Sequence, residues 1–443
     1  MSEENIKHKT KVGMVWNAFE KIAIQGISFI LSIILARLLS PKDYGTIGMV
    51  SIFITFANVF VDSGFSRALI QKQDRTEIDF STTLIFNIVI SCLIYIILFF
   101  AAPLIANFYN TPELVFIQRI LFLFIILNSL IVVQNAKLQI NVDFRSIAII
   151  NAIATIVSGA IAVLAAYKGL GVWALVIQTL SKTGITAIFF WIIGKWIPKT
   201  GFSKKSFKTL FSYGSKLLFS GLVSTTLSNI NNLVIGKIYN SESLGYYTRG
   251  QQFPELTAGT LNSVLSNSTF PMMATLQNNK DELISVFRRL IKMTSLLVFP
   301  AMLGLAVLSD NVILVLLGEK WLPASTFLFW LSLSYYFVPL STLNLNLLNA
   351  IGRSDLFLKI DLLKVPIIIL TMIITFPISL KVVAIGIAVT SFVYYYMNSF
   401  MIGKLFKFGC FKQIICVWKS IVASILMGVC VFFIKTFFSN ILI

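Results

Sequence analysis

The chain has 443 residues, of which 57% are hydrophobic and only 12% charged, and its mean hydropathy is +0.86. A soluble domain carries roughly 25% charge, so this composition excludes a water-soluble fold, which could not cover its surface with so few charges. The formal net charge of +18 does not point to nucleic acid, because Lys and Arg sit at the ends of apolar segments and form no single basic patch interleaved with aromatics.

A chain this apolar takes lipid as its solvent, where only helices and closed barrels satisfy the backbone. Its apolar runs are about 20 to 27 residues long, the length of a helix crossing about 30 Å of hydrocarbon. Barrel strands would be about half as long and would alternate in polarity. The expected fold is therefore all-α, a polytopic transmembrane helix bundle. Lys7, Lys9 and Lys11 precede the first apolar run, as in a signal peptide, but that run continues to Leu39 without a small-residue cleavage motif, so it reads as a retained span. Thirteen segments follow in chain order, at roughly 14–39, 44–70, 80–106, 114–137, 146–167, 171–195, 210–236, 247–273, 287–309, 322–349, 357–379, 382–404 and 414–434. The connections between them are short, and none has room for an enzyme domain.

With the N-terminus in the cytoplasm, cytoplasmic loops and flanks hold roughly 25 Lys and Arg against about seven on the other side. A missed helix would invert every later loop, so this asymmetry predicts a multi-pass protein of the inner (cytoplasmic) membrane with a cytoplasmic N-terminus. The cysteines, Cys92, Cys410, Cys416 and Cys430, form no CxxC pair, and the single histidine, His8, lies in the polar tail. No metal site, disulfide framework or histidine relay is expected.

A shift of 200 residues lays ILARLLSPKDYG, at 34–45, on VIGKIYNSESLG, at 234–245, with Arg37 on Lys237 and Gly45 on Gly245. Six helices separate the copies, which implies parallel repeats about an axis along the membrane normal. The expected domains are residues 1–197 as an N-terminal six-helix half, 198–209 as a cytoplasmic linker, 210–406 as a C-terminal six-helix half and 407–443 as an extra C-terminal helix. Two such halves around a central cavity suit an alternating-access transporter.

Ionisable groups inside spans cost at least about 2.5–3.5 kcal/mol each and mark function by default. The basic ones, Lys21, Arg37, Arg119, Lys182, Lys216, Lys237 and Arg249, outnumber the acids Glu20, Asp62, Glu255 and Asp361. An excess of cations attracts an anion, and phosphate is the obvious kind. Lys182 is the strongest candidate, since it lies near mid-span, where snorkelling is hard. Arg37, Lys216, Lys237 and Arg249 lie near span ends and can equally anchor at the interface. Glu255 follows Pro254 and could pair with Arg249 or act in coupling or gating; Asp62 could do the same or pair with Arg67. Asn229, Asn232, Gln251 and Gln252 belong to a polar run through the seventh and eighth spans. Such residues glue helices together, or provide a wetted surface for sugar hydroxyls.

Several strings resemble one family. They are LSPKDYG after the first span, ALIQKQD after the second, FSYGSKLL opening the seventh, IGKIYNSESLGYYTRGQQFPEL across the seventh and eighth, LLGEKWLPA before the tenth and NAIGRSDL after it. Together they resemble the polysaccharide-transporter branch of the multidrug/oligosaccharidyl-lipid/polysaccharide exporter superfamily, in particular its lipopolysaccharide-biosynthesis flippases of the colanic-acid and teichuronic-acid type. The resemblance implies translocation of an undecaprenyl-diphosphate-linked oligosaccharide from inner to outer leaflet through a V-shaped cavity between two six-helix bundles. It also implies partnership with a polysaccharide polymerase and glycosyltransferases. The family usually has two further C-terminal helices, and this chain has room for one. No GxxxxGK[ST] motif is present, so no nucleotide cofactor is expected. Coupling would come from an ion gradient, the membrane potential or removal of product. The rival readings are a drug or cation antiporter of the same superfamily, which needs buried carboxylates, and a membrane glycosyltransferase or polymerase, which needs outer-loop acids that here are scattered.

Overall fold

A computed structural model describes residues 23–62, 64–277 and 279–441, without the side chains at 213, 216, 217, 220, 261–268, 270, 271, 354 and 438–441. Among the described residues every regular element is a helix. In order they are α1 (Ala23–Leu38), α2 (Pro41–Asp62), α3 (Phe65–Gln71), α4 (Glu77–Phe108), α5 (Leu114–Leu121), α6 (Leu123–Ile140), α7 (Phe144–Tyr167), α8 (Val172–Gly194) and α9 (Lys204–Ile238). There follow α10 (Ser241–Thr275), α11 (Lys280–Val307), α12 (Ser309–Leu316), α13 (Ala324–Tyr335), α14 (Val338–Ala350), α15 (Ser354–Thr375), α16 (Leu380–Phe406) and α17 (Cys410–Ile441). Three pairs each make one bent span: α2 with α3 around Gly64 (φ +67°), α5 with α6, and α13 with α14. Among the described residues each apolar run read from the sequence thus corresponds to one straight or bent helix, the first of them from Ala23 onward. Among the described residues nine of these are long and apolar enough to cross a membrane. Helices α9, α10 and α15 are long enough but too rich in polar and charged residues for that test, which sets them apart as places where the protein keeps polar groups at membrane depth.

Helix α4 shows which solvent the fold requires. Asp79, Thr83, Asn87 and Ser91 recur every fourth residue and are fully buried, whereas Val89, Leu93, Ile96, Phe100 and Leu104 lie on the outside, Phe100 at 73% exposure. Polar inside and apolar outside inverts the pattern of a soluble helix and is stable only where the surroundings are hydrocarbon.

Contacts divide the chain into residues 1–245 and 246–443. In the first unit α7 packs on α8, and both helices bury small residues, Ala154, Ser158 and Ala162 on α7 and Ala174, Thr183 and Ala187 on α8, while Gly159 lets Leu31 of α1 close onto α7. Close approach of this kind holds helices together where no hydrophobic force separates protein from solvent. Helix α9 packs on α2, α3 and α4. It begins at Lys204, ahead of the apolar run, because the Ser203 hydroxyl caps it by accepting from the Ser206 amide at 3.3 Å. The connection leading into α9 is tied down. The Trp196 carbonyl accepts from Gln134 Nε2 at 2.8 Å, the Trp196 indole donates to Glu77, Thr200 donates to Ser81 at 3.0 Å, and the Ser203 amide donates to Thr82 at 3.0 Å.

The aligned glycines meet in this unit. A Cβ on Gly45 would overlap the Ser241 carbonyl, and one on Gly245 would overlap the Pro41 carbonyl. The contact is reciprocal at the same 200-residue offset, Pro41 corresponding to Ser241 and Gly45 to Gly245, so the starts of α2 and α10 cross backbone to backbone about a local two-fold.

In the second unit Phe287, Phe299, Met302, Leu343, Leu347 and Ile402 form the core of α11, α14 and α16. The single C-terminal helix α17 packs along α11, with Gly428 against Leu303, and is fixed by buried polar contacts. Gln413 and Asn344 exchange amide hydrogen bonds at 2.8 and 3.1 Å, and the Tyr395 hydroxyl donates to Gln413 at 3.1 Å.

Candidate functional site

In the first unit Lys182 lies in the middle of α8, roughly 15–18 Å from either end at 1.5 Å per residue. It is half-buried, and among the described residues it makes no ion pair or side-chain hydrogen bond. Other charges at membrane depth have partners. Arg119 stands 4.3 Å over the Phe99 ring with its Nε near the Phe99 carbonyl at 3.4 Å, and Lys364 pairs with Asp361 at 2.7 Å. Lys237, at the end of α9, donates to the Phe108 carbonyl at 2.5 Å and lies 4.9 Å from that ring. Its ammonium thus caps the C-terminal carbonyls of α4, where a cation is favoured. Arg37 is exposed in the last turn of α1, and Asp62 is exposed at the end of α2. Asn229 donates to the Thr225 carbonyl at 3.0 Å, and Asn232 lies half-buried one turn further along α9. Lys21 lies outside the described residues, as do Glu20 and the side chain of Lys216.

In the second unit a polar strip of α10 faces α13. Arg249 donates to Gln252, and Gln251 meets the Tyr335 hydroxyl. Glu255 is exposed and lies within electrostatic reach of the Tyr335 and Tyr247 hydroxyls. Tyr247 is anchored edge-on against Phe327 at 6.0 Å. Gly250 allows α10 this close to α13, since a Cβ there would fall 2.8 Å from the Ala324 carbonyl. Arg249, Gln251, Gln252 and Glu255 therefore share one small neighbourhood, whereas Lys182, Lys237, Arg37 and Asp62 are dispersed over the first unit.

Two residues that sequence reading passed over are Asn87 of α4 and Gln118 of α5. Both are fully buried, and neither side-chain amide finds a partner among the described residues. Their only signal was a lone amide in an apolar run. The first unit thus holds, at separate places, two buried amides and one half-buried cation without side-chain partners among the described residues. The described residues include no group of three or more His, Cys, Asp or Glu able to hold a metal.

The family model described as "Polysaccharide biosynthesis protein" matches residues 34–326, more than half of the chain. The chain belongs to this family. Among curated members and relatives, the teichuronic acid biosynthesis protein TuaB of Bacillus subtilis is 28% identical over 346 residues, 78% of this chain and 72% of that protein. The lipopolysaccharide biosynthesis protein WzxC of Escherichia coli is 23% identical over 72% of this chain and 65% of its own length, just under two thirds. The fold of the chain matches that of the lipid II flippase MurJ in an inward closed conformation, with a TM-score of 0.72, 16% identity and coverage of 97% and 100% of the two chains. It also matches an inward-facing multidrug resistance transporter of the MATE family, within the MOP superfamily, at a TM-score of 0.68, 14% identity and 88% and 97% coverage. At these identities the likeness establishes the fold alone: a polytopic helical bundle.

Proposed function

We propose that the chain is a flippase that carries a polyprenyl-diphosphate-linked oligosaccharide from the inner to the outer leaflet of the bacterial cytoplasmic membrane, for export of a cell-surface polysaccharide. Translocation proceeds by alternating access, with no bond made or broken. The observation that carries this reading is Lys182, a cation at mid-membrane depth with no counter-ion among the described residues. Such a charge is costly at rest, and a diphosphate offsets it. Arg37, Arg249 and Lys21 are the further candidates for that anion, whereas Lys237, also a candidate from the sequence, is engaged by the Phe108 carbonyl. Asn229, Asn232, Gln251 and Gln252 supply donors and acceptors for sugar hydroxyls, while the prenyl chain stays in lipid. The N-terminus is cytoplasmic, and residues 1–197 and 210–406 are the two repeats, with the reciprocal Gly45–Gly245 crossing in support. A polysaccharide polymerase and glycosyltransferases act before and after this step.

Deletion of the gene tests the reading. The lipid-linked oligosaccharide should accumulate with its sugars facing the cytoplasm, surface polysaccharide should fall, and a plasmid copy should restore both. A deletion that leaves the oligosaccharide reaching the outer leaflet at the normal rate contradicts it.

The MATE-type fold supports a second reading, a drug or cation antiporter, with Glu255 and Asp62 as the coupling carboxylates. Glu255→Gln separates the two. The flippase reading expects impaired polysaccharide export with unchanged drug susceptibility. Raised susceptibility with normal export favours the antiporter.

A further inference from the structure

The connection between α8 and α9 carries a cationic surface with no acid of its own, and the Glu77 carboxylate, which contacts the segment, accepts from the buried Trp196 indole. Residues 195–212 read KWIPKTGFSKKSFKTLFS and contain no acid. Lys195, Lys199, Lys204, Lys205 and Lys208 are all exposed, and among the described residues none makes an ion pair or a side-chain hydrogen bond. Two exposed basic residues elsewhere do make them, Lys42 with Glu113 at 3.6 Å and Arg353 with Asp355 at 2.8 Å. The segment is also rigidly placed. Trp196 is buried, and Trp196, Thr200 and Ser203 are bonded to Glu77, Ser81 and Thr82, while the lysines are turned out together with Ile197, 68% exposed, and Phe202, 49% exposed.

The pattern continues along α9. Lys204, Lys208, Phe211, Phe219 and Val223 are exposed and spaced by three, four or eight residues, so they form one stripe on one face of the helix. The stripe begins with two cations and becomes apolar within about 10 Å. A surface that turns from ammonium groups to aromatic rings along one helix matches the change from headgroups to hydrocarbon. Juxtamembrane lysine clusters of this size bind anionic lipid.

We propose that residues 195–212 form a binding surface for the phosphate headgroups of anionic glycerophospholipids, which seat the start of α9 at the membrane surface. The inference rests on the cytoplasmic placement of this segment, where such lipids would meet it, and is independent of what the protein translocates.

The test uses the purified full-length chain in a neutral detergent, with thermal unfolding followed after addition of phosphatidylcholine, of phosphatidylglycerol, or of a polyprenyl diphosphate in phosphatidylcholine at equal total phosphate. Phosphatidylglycerol should raise the Tm well above phosphatidylcholine. Lys195, Lys199, Lys204, Lys205 and Lys208, all changed to Gln, should lose more than half of that rise. A control with Lys280, Arg288, Arg289 and Lys292 changed to Gln should keep it. If the five-fold variant does not accumulate, Lys204→Gln with Lys208→Gln should lose a measurable part. Three results overturn the proposal: a full rise in the lysine variants, an equal loss in the control, or an equal rise with the polyprenyl diphosphate, which would assign the lysines to the substrate's anion. Labelling of a cysteine at position 204 from outside intact cells would overturn the placement instead, and leave the lipid response itself to stand or fall on the thermal shifts.

Discussion

An ammonium group on an apolar span has three outcomes: it snorkels, it pairs, or it awaits a guest. Lys237 takes the second course, through the Phe108 carbonyl and ring. A cation on helix C-terminal carbonyls contributes about 0.3–1 kcal/mol. Lys237→Met should therefore lower the Tm slightly and leave translocation per folded molecule unchanged. Lost translocation at full stability would move Lys237 from cap to substrate site. Lys182 has no such partner among the described residues, and the proposed function gives it the third course. Its mid-helix position was legible in the sequence, because one lysine in an apolar run of 20 residues or more needs no tertiary information to stand out. The commitment of Lys237 was not legible, since the carbonyl it caps is 129 residues away. Asn87 and Gln118 escaped for the same reason: an amide in an apolar run looks like ordinary helix glue until its neighbours are known.

At the scale of helices, the sequence placed the spans well because hydrocarbon thickness fixes their length and composition. It could also separate α9 and α10 from the rest by their polar content. What it could not supply was how the last helix is held. Gln413 precedes the apolar run of α17 and looked like part of a loop, yet it joins Asn344 and Tyr395 in a fully satisfied buried network. Removing one member of such a network leaves the others unpaired at about 1–3 kcal/mol. Gln413→Ala should lower the Tm by several degrees, with α17 becoming the first helix to yield to protease. Substitution at Ser420, whose hydroxyl is only 3.4 Å from Ser295, should cost much less. Equal effects at the two positions would show that α17 is held by its apolar face alone.

For the whole molecule, family and fold show a polytopic helical bundle, and the charge asymmetry between alternate loops predicts its orientation. In a background with Cys92, Cys410, Cys416 and Cys430 replaced by Ala, cysteine at Gln277 should resist a membrane-impermeant thiol reagent in intact cells, and cysteine at Lys168 should react. The reverse pattern would invert the topology. The central claim is that a diphosphate-linked guest crosses the membrane past Lys182, with charge mattering more than shape there. Its most direct measurement is translocation of a polyprenyl-diphosphate oligosaccharide in proteoliposomes containing equal amounts of folded wild type, Lys182→Arg and Lys182→Gln. Lys182→Arg should keep much of the wild-type rate and Lys182→Gln should lose most of it; a Lys182→Gln protein that translocates at the wild-type rate would contradict the account.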